Sequence, residues 1–482
     1  MQKQTSNVVI VGGGTAGWST AALLTANPDI NVTVIEPSDI PTIGVGESTI
    51  PFINTIHQIM KMDIFDTPDW IKEVNGTLKF SIEFANFHEK ERIWIHPFTS
   101  ERTQDDRMTN HACNGDIPLE IYKDQDDFVI DNYCFPNLCA KQFTPYYDQN
   151  KYIMTPIAGY HVDAVLYADL LKRESTKREN CNYIDNSVKD IIVINDKIEK
   201  LVLKDNSVIT ADLFVDCTGF RALLANAVGS KWDDSYKERL FVDTALAVQL
   251  PYLDESKQMR NTTYCHALDY GWVWNVPLQT RIGTGYIYSS RYTTEEAATE
   301  EFKNHLHDKY GYAKEDLTFR KVPFDVGMRP EAWKNNVVAI GLSSFFLEPI
   351  ESTAIAHLQH QANTVLDMLS APWISDENKR KRFNSLNKSS LDAIASYIEQ
   401  HYIFSNRKDT QFWKDTTSIK LTDDQKDMLK TYTDPNLPFT MQYAKTKYGG
   451  HSLFSQSSYM FLFLGYDIAP NQMTDRIREY LS

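Results

Sequence analysis

The stretch Asn7-Val8-Val9-Ile10-Val11-Gly12-Gly13-Gly14-Thr15-Ala16-Gly17-Trp18 decides the fold. Asn7 to Val11 is β-branched and apolar, the pattern of a buried parallel strand. Trp18 to Thr25, with Ala21, Ala22, Leu23 and Leu24, reads as a helix. The glycines between them fall at Gly12-x-Gly14-x-x-Gly17. In that context the first permits a tight turn, the second lets a diphosphate reach the backbone, and the third lets helix and strand pack closely. The helix N-terminus then presents free N–H groups to the diphosphate, with Thr15 and Ala16 in the same turn. A second strand, Asn31 to Ile35, ends at Glu36, about twenty residues on, where a carboxylate accepts hydrogen bonds from ribose hydroxyls. Strand, turn, helix, strand and acid agree, so the unit binds a dinucleotide.

Two later segments repeat the strand-then-glycine theme. Asp212-Leu213-Phe214-Val215-Asp216-Cys217-Thr218-Gly219 and Asn336-Val337-Val338-Ala339-Ile340-Gly341 each read as a buried strand entering a turn. Either alone is compatible with an ordinary core strand. In this order they resemble the second and third signatures of the FAD-dependent monooxygenase superfamily, which favours FAD over NAD. No second Gly-x-Gly-x-x-Gly follows a strand, so no separate nicotinamide domain is evident.

The rest of the chain frames this unit. Across 482 residues, 42% are hydrophobic and 23% charged, which suits a globular enzyme with a large core. A net charge of −15 disfavours nucleic acid and anionic membrane surfaces as partners. No apolar run reaches the roughly 20 residues that span a bilayer. Six cysteines (Cys113, Cys134, Cys139, Cys181, Cys217, Cys265) form no CxxC pair or Cys/His cluster, and no metal site is read. Free thiols and a cytoplasmic location are expected.

Asn75 to Phe84 alternates as one strand, with Leu78, Phe80, Ile82 and Phe84 on one face and Lys79, Ser81 and Glu83 on the other. Residues 87–150 read as irregular loops, and Tyr160 to Leu171 as a helix. Strands follow near Ser187 to Ile192, Lys197 to Leu203 and Leu213 to Asp216, then an antiparallel set over 240–290. Ser352 to Leu369 is an amphipathic helix striped by Ile355, Leu358, Ala362, Val365, Leu366 and Leu369. The fold class is α/β: a Rossmann-type FAD-binding fold with an interleaved antiparallel substrate-side sheet and a largely helical C-terminal region. Residues 1–369 form the FAD-binding body, with substrate-side segments at about 60–150 and 235–330. Residues 370–482 form a mainly helical substrate-side region.

Four stretches resemble the flavin-dependent halogenases of the tryptophan halogenase type, a likeness covering most of the first 370 residues. They are Val11 to Trp18, Pro41-Thr42-Ile43-Gly44-Val45-Gly46-Glu47-Ser48-Thr49, Gly271-Trp272-Val273-Trp274-Asn275-Val276-Pro277-Leu278, and Gly341 through Glu348-Pro349-Ile350-Glu351-Ser352-Thr353. The Trp box is the most specific, with Val276 where the family has Ile. The resemblance implies that reduced FAD (FADH2) and O2 oxidise a halide (chloride, bromide or iodide) to hypohalous acid. That acid travels a tunnel to a lysine beside an aromatic substrate. Lys79 matches the lysine, Glu351 the assisting carboxylate, and Thr353 with Ala354 the halide site. Trp272 and Trp274 match the tunnel residues. The cofactor set becomes Gly12, Gly14, Thr15, Ala16, Gly17, Glu36, Gly46, Glu47, Val188, Leu342 and Ile355.

Each match has a plainer alternative. Lys79 reads equally as a solvated lysine on a polar strand face, and Trp272 and Trp274 as core aromatics. Glu348 and Glu351 suit a helix N-terminus, where Ser352 or Thr353 is a ready N-cap. A hydroxyl and a free N–H there also suit a small anion. Many members carry glycine where this chain has Ala354. The C-terminal third, including Thr440 to Lys445 and Leu453 to Tyr459, shows no recognisable tryptophan clamp, so an indole- or phenol-like aromatic is the expected substrate class. A separate NAD(P)H-dependent flavin reductase is the expected partner, and homo-oligomer formation is left open. Two other functions compete: an aromatic hydroxylase, which needs an open path past Trp272 and Trp274, and a non-catalytic flavin-binding protein.

Overall fold

A computed structural model describes residues 6–38, 46–61, 69–98, 158–434, 436, 453–454, 456–469 and 472–482. The chain divides into two compact units. The first comprises Met1–Gly76, Val162–Lys237 and Asp325–Ser389; the second comprises Thr77–His161, Glu238–Phe324 and Ser390–Ser482.

The first unit is built on a six-stranded sheet. Its order is Trp333–Lys334, Val337–Ala339, Leu213–Asp216, Ser6–Val11, Ile30–Ile35, Cys181–Ile184. All pairs are parallel except the edge pair Trp333–Lys334 with Val337–Ala339. Ser6–Val11 lies centrally, flanked by the strand it feeds through the first helix and by the strand of the second glycine segment. Val9, Val11, Ile35, Phe214 and Val337 from this sheet are buried with Ile198, Leu201 and Leu203 of a smaller three-stranded sheet. Full burial of each such side chain stabilises by roughly 1.5–3 kcal/mol. The first helix, Gly14–Leu24, packs against both Ala164–Thr176 and Ala354–Leu369. Its small residues Gly17, Ala21 and Ala22 are fully buried, which permits that close approach.

The second unit holds a seven-stranded sheet in the order Arg320–Pro323, Thr244–Leu250, Ile282–Tyr288, Gly271–Pro277, Thr262–Ala267, Ser81–Ala85, Ile93–Pro97. Helix Glu295–Tyr310 covers one face, burying Ala298, Phe302 and Leu306 against Val273, Tyr286 and Tyr288. Thr294 caps its start through the Ala297 N–H, and Gly311 at φ +87° ends it. Helices Gln411–Thr416, Asp423–Thr433, Gln456–Gly465 and Asp475–Leu481 make the C-terminal region largely helical, as expected. Asp423–Thr433 opens with a capping box between Thr422 and Gln425.

Several local expectations change. Asn75 to Phe84 is not one strand: Thr77–Lys79 pairs with Gly159–Val162, while Ser81–Ala85 joins the large sheet. Both faces are buried, so its polar residues are not solvated. The stretch at Tyr160 is a strand, and the helix begins only at Ala164, where Asp163 accepts from the N–H groups of Val165 and Leu166. Within 87–98, Ile93–Pro97 is a strand rather than loop. The large sheet is not wholly antiparallel, because Thr262–Ala267 runs parallel to Ser81–Ala85. The first helix starts at Gly14 rather than Trp18, and the late helix at Ala354 rather than Ser352. The strand changes arise where pairing partners override local pattern.

Cys181, Cys217 and Cys265 are free; Cys113, Cys134 and Cys139 lie outside the described residues. No described helix is long and apolar enough to cross a membrane.

Candidate active site

In the first unit, the three glycine segments converge on one turn. Gly12 has φ +102°, and a Cβ there would lie 2.3 Å from the Cys217 carbonyl oxygen. A Cβ on Gly17 would lie 1.9 Å from the Gly12 carbonyl oxygen. Gly341, at φ +67°, approaches Ala16, where its Cβ would be 3.0 Å from the alanine's own. The first and third fingerprint glycines are therefore required by the chain's own packing, and at the start of the Gly14–Leu24 helix the N–H groups of Thr15 and Ala16 remain to face an anion, Gly17 N–H being bonded to the Gly13 carbonyl. Asp216 fixes the second segment: its carboxylate accepts from Thr218 N–H and hydroxyl and from the N–H groups of Leu224 and Ala225.

Glu36 lies over this turn. Its Oε1 accepts from Gly14 N–H at 3.2 Å, and its Oε2 accepts from Trp18 Nε1 at 3.1 Å and Lys172 Nζ at 3.3 Å. Val188 packs against the same apolar cluster as Ile35, beside the strand end that carries Glu36. Leu342 and Phe220 stand on two short 3-10 turns tied by a 3.1 Å bond from Ser343 Oγ to the Gly219 carbonyl. They remain 37% and 44% exposed, an apolar surface of the sort a planar ring covers. Ile355 is buried in the first turn of its helix. Glycine turn, helix terminus, ribose-side acid and apolar ledge together fit FAD.

Gly46, at φ +105°, precedes Glu47, and Pro41 to Val45 of that motif lie outside the described residues. Glu47 keeps a partly accessible surface. Desolvation by the surrounding protein, and then the nearby Asp163 carboxylate, push its carboxyl up to about 7.

The Glu348 to Ala354 segment also belongs to the first unit. Glu348 and Glu351 are both 1% exposed. Ser352 adopts φ +58°, a left-handed conformation uncommon for a residue with a side chain, and its hydroxyl bonds Ser48 Oγ at 3.0 Å. Thr353 takes the N-cap position of Ala354–Leu369, yet its side chain makes no capping hydrogen bond. The plain N-cap reading of either hydroxyl therefore falls.

In the second unit, Lys79 has no exposed surface. Its Nζ sits 5.0 Å from the centroid of the Phe98 ring. His161 is held by a chain of bonds: Thr77 Oγ1 donates to the Pro277 carbonyl at 2.7 Å and lies 2.9 Å from His161 Nδ1, while His161 Nε2 lies 2.9 Å from Thr263 Oγ1. Since Thr77 spends its only proton on Pro277, Nδ1 is the protonated nitrogen and Nε2 accepts from Thr263. Burial and the Lys79 charge hold His161 far below its ordinary value, hence neutral.

Trp272 and Trp274 share the sheet face of Thr263 and Cys265, through the pair Trp274 with Cys265. Trp272 is 1% exposed, and Trp274 is half-buried with its ring lying across Gly285. A Cβ on Gly285 would come within 2.0 Å of that ring.

Pattern reading missed Phe98, His96 and His161 around Lys79, and Trp18 and Lys172 around Glu36. His96 and Phe98 lie 6.3 Å apart ring to ring, and His96 lies 6.0 Å from Tyr397, which stacks on Phe454 at 3.7 Å. Only the pairing of Thr77–Lys79 with Gly159–Val162 could have signalled His161. Tyr459 is core, 5.0 Å from Tyr397. Thr440 to Lys445 lie outside the described residues.

A family model described as tryptophan halogenase matches residues 7–480. The chain is 30% identical to tryptophan 7-halogenase RebH of Lentzea aerocolonigenes, over 99% of this chain and 92% of that one. It is 32% identical to 7-chloro-L-tryptophan 6-halogenase KtzR of Kutzneria sp. (strain 744), over 95% and 90%. Among solved structures it resembles Xcc4156, a flavin-dependent halogenase from Xanthomonas campestris, with a TM-score of 0.82 at 30% identity, covering 99% and 92%.

Proposed function

Because the chain belongs to the tryptophan halogenase family, we propose that it relays hypohalous acid to Lys79 and installs the halogen on an indole- or phenol-like ring, with Glu351 assisting. The enzyme is a flavin-dependent halogenase that uses FADH2, O2 and a halide to halogenate an aromatic substrate. When bound, the reduced flavin supplies the two electrons with which O2 turns halide into hypohalous acid. Gly12, Gly14, Gly17 and Glu36 would hold its diphosphate and ribose, and Leu342 with Ile355 its ring side.

What supports the relay is the environment of Lys79: a fully buried amine set against an aromatic ring, with a neutral histidine beside it. A neutral His161 adds no second positive charge to the pocket. Lys79 N–H donates to the oxygen of the acid, or the amine carries the halogen itself. In the donor form, ring π electrons attack the halogen as the O–X bond breaks, and the oxygen leaves as water after taking its second proton from the Lys79 ammonium. The ring carbon then loses its hydrogen as a proton to the Glu351 carboxylate, which must be ionised to take it. Thr353 Oγ and the Ala354 N–H would hold the halide. Phe98 and His96 give the aromatic substrate rings to lie against.

The test is mass spectrometry of a panel of indoles and phenols incubated with protein, FAD, a flavin reductase, NADH, O2 and each halide in turn. A product heavier by one halogen in place of one hydrogen supports the proposal. A gain of one oxygen would instead identify a hydroxylase, and an unchanged panel a protein that does not act on this class.

A further inference from the structure

Gly13, the middle residue of the Gly12-Gly13-Gly14 run, has no part in the fingerprint. Its backbone lies at φ −83° and ψ −107°, outside the left-handed region and also outside the usual helical and extended wells. What occupies the space of a side chain is Glu36: a Cβ on Gly13 would lie 1.6 Å from Oε1 and 1.8 Å from the carboxyl carbon. Glu36 reaches Gly14 N–H only because Gly13 has no side chain.

We propose that Gly13, Trp18 and Lys172 form a cage that presets Glu36 for the adenosine ribose, and that this cage makes the site prefer the dinucleotide flavin to the mononucleotide. The proposal rests on the cofactor reading above. A carboxylate offers about four lone-pair positions. Oε2 spends two, on Trp18 Nε1 and Lys172 Nζ, and Oε1 spends one, on Gly14 N–H. One acceptor position on Oε1 remains, matched to one hydroxyl of a ribose diol.

The cage is itself braced. Lys172 Nζ lies 3.6 Å from the centroid of the Tyr183 ring and 5.5 Å from that of Trp18, and Tyr183 OH donates to the Glu36 carbonyl at 3.2 Å. The carboxylate therefore loses little freedom when ribose arrives, so its hydrogen bond is not offset by ordering. Gly13 and Lys172 act through Glu36 and are positioning residues. FMN lacks the adenosine, so nothing in the cage touches it.

Dissociation constants for FAD, FMN and ADP are measured by flavin fluorescence and calorimetry on the full chain, for wild type, Gly13→Ala, Lys172→Met, Lys172→Arg, Glu36→Ala and the Gly13→Ala/Glu36→Ala pair. Gly13→Ala and Lys172→Met should each weaken FAD and ADP roughly tenfold, the size of one lost charge-assisted bond, and leave FMN unchanged. Lys172→Arg should recover most of the loss. Gly13→Ala should cost clearly less FAD affinity once Glu36 is alanine than it does in the wild type, because the carboxylate it displaces is gone. Equal loss of FAD and FMN, unchanged FAD affinity, or additive effects in the double variant would each overturn the cage. Wild type that binds neither FAD nor ADP would strike the cofactor reading itself, and the cage with it.

Discussion

An ammonium group without exposed surface is costly to hold inside a protein unless its surroundings compensate the lost water. Among the groups around Lys79 are the face of Phe98 and a histidine held neutral by burial and by the Lys79 charge itself. Nothing in that arrangement serves the cofactor fingerprint, which lies in the other unit. Lys79→Ala should therefore lower halogenation by more than about a hundredfold, the usual scale of a lost proton-handling group. FAD binding and flavin oxidation should remain at wild-type level. Release of flavin from the purified variant would make Lys79 a structural residue. Glu47 supplies a pH-dependent counterpart. Between its ordinary 4.5 and about 7, the folded chain holds a proton on this carboxyl that the unfolded chain has released. Stability from this group is thus complete below 4.5 and is lost as pH rises through about 7. Glu47→Gln, which cannot ionise, should raise the melting temperature of the cofactor-free protein at pH 8 and change it little at pH 4.5, a gain of about 1–2 kcal/mol. Equal effects at both pH values would show that Glu47 is not held protonated by its surroundings.

Secondary-structure elements carry the proposed halide site and also mark where a sequence stops being legible. The Ala354–Leu369 helix begins after a left-handed Ser352, so Thr353 reaches the N-cap position without using its hydroxyl as a cap. If that hydroxyl serves the halide instead, Thr353→Val should weaken the apparent halide affinity by about 1.5–3 kcal/mol and leave aromatic binding nearly unchanged. An unaltered halide dependence of the rate would place the anion elsewhere. The parallel core of the first unit was readable because Val8 to Val11, Asn31 to Ile35 and Leu213 to Asp216 are local apolar runs bounded by glycine or acid, and each forms its strand. The break at Phe80 was not readable. Alternation of Leu78, Phe80, Ile82 and Phe84 describes one strand, but Thr77–Lys79 and Ser81–Ala85 take different partners more than 70 residues away. Long-range pairing decides which sheet each half joins, and it leaves no trace in local period. The same holds for the candidate site: Glu36 was picked out by spacing along one βαβ unit, while Lys172 reaches it from another helix and His161 reaches the Lys79 strand from a distant one.

The whole molecule bears on where the electrons come from. The three glycine segments meet at a single turn, with Gly12 against Cys217 and Gly341 against Ala16, as expected if all three serve one dinucleotide. A hydride donor needs its own diphosphate site, usually a helix N-terminus beside close glycines. Among the described residues no second strand, glycine turn and helix of that kind occurs. The second unit instead offers a mostly antiparallel sheet, a covering helix and aromatic packing. We propose on this ground that the reduced flavin comes from a separate protein. Purified enzyme loaded with oxidised FAD should stay yellow when mixed anaerobically with NADH or NADPH, and should bleach once a flavin reductase is added. If free FAD exchanges with bound FAD, the rate of bleaching should follow the amount of reductase and not the amount of nicotinamide presented to the halogenase. Rapid stoichiometric bleaching by either nicotinamide alone would require a hydride-donor site on this chain and would move the function toward a hydroxylase.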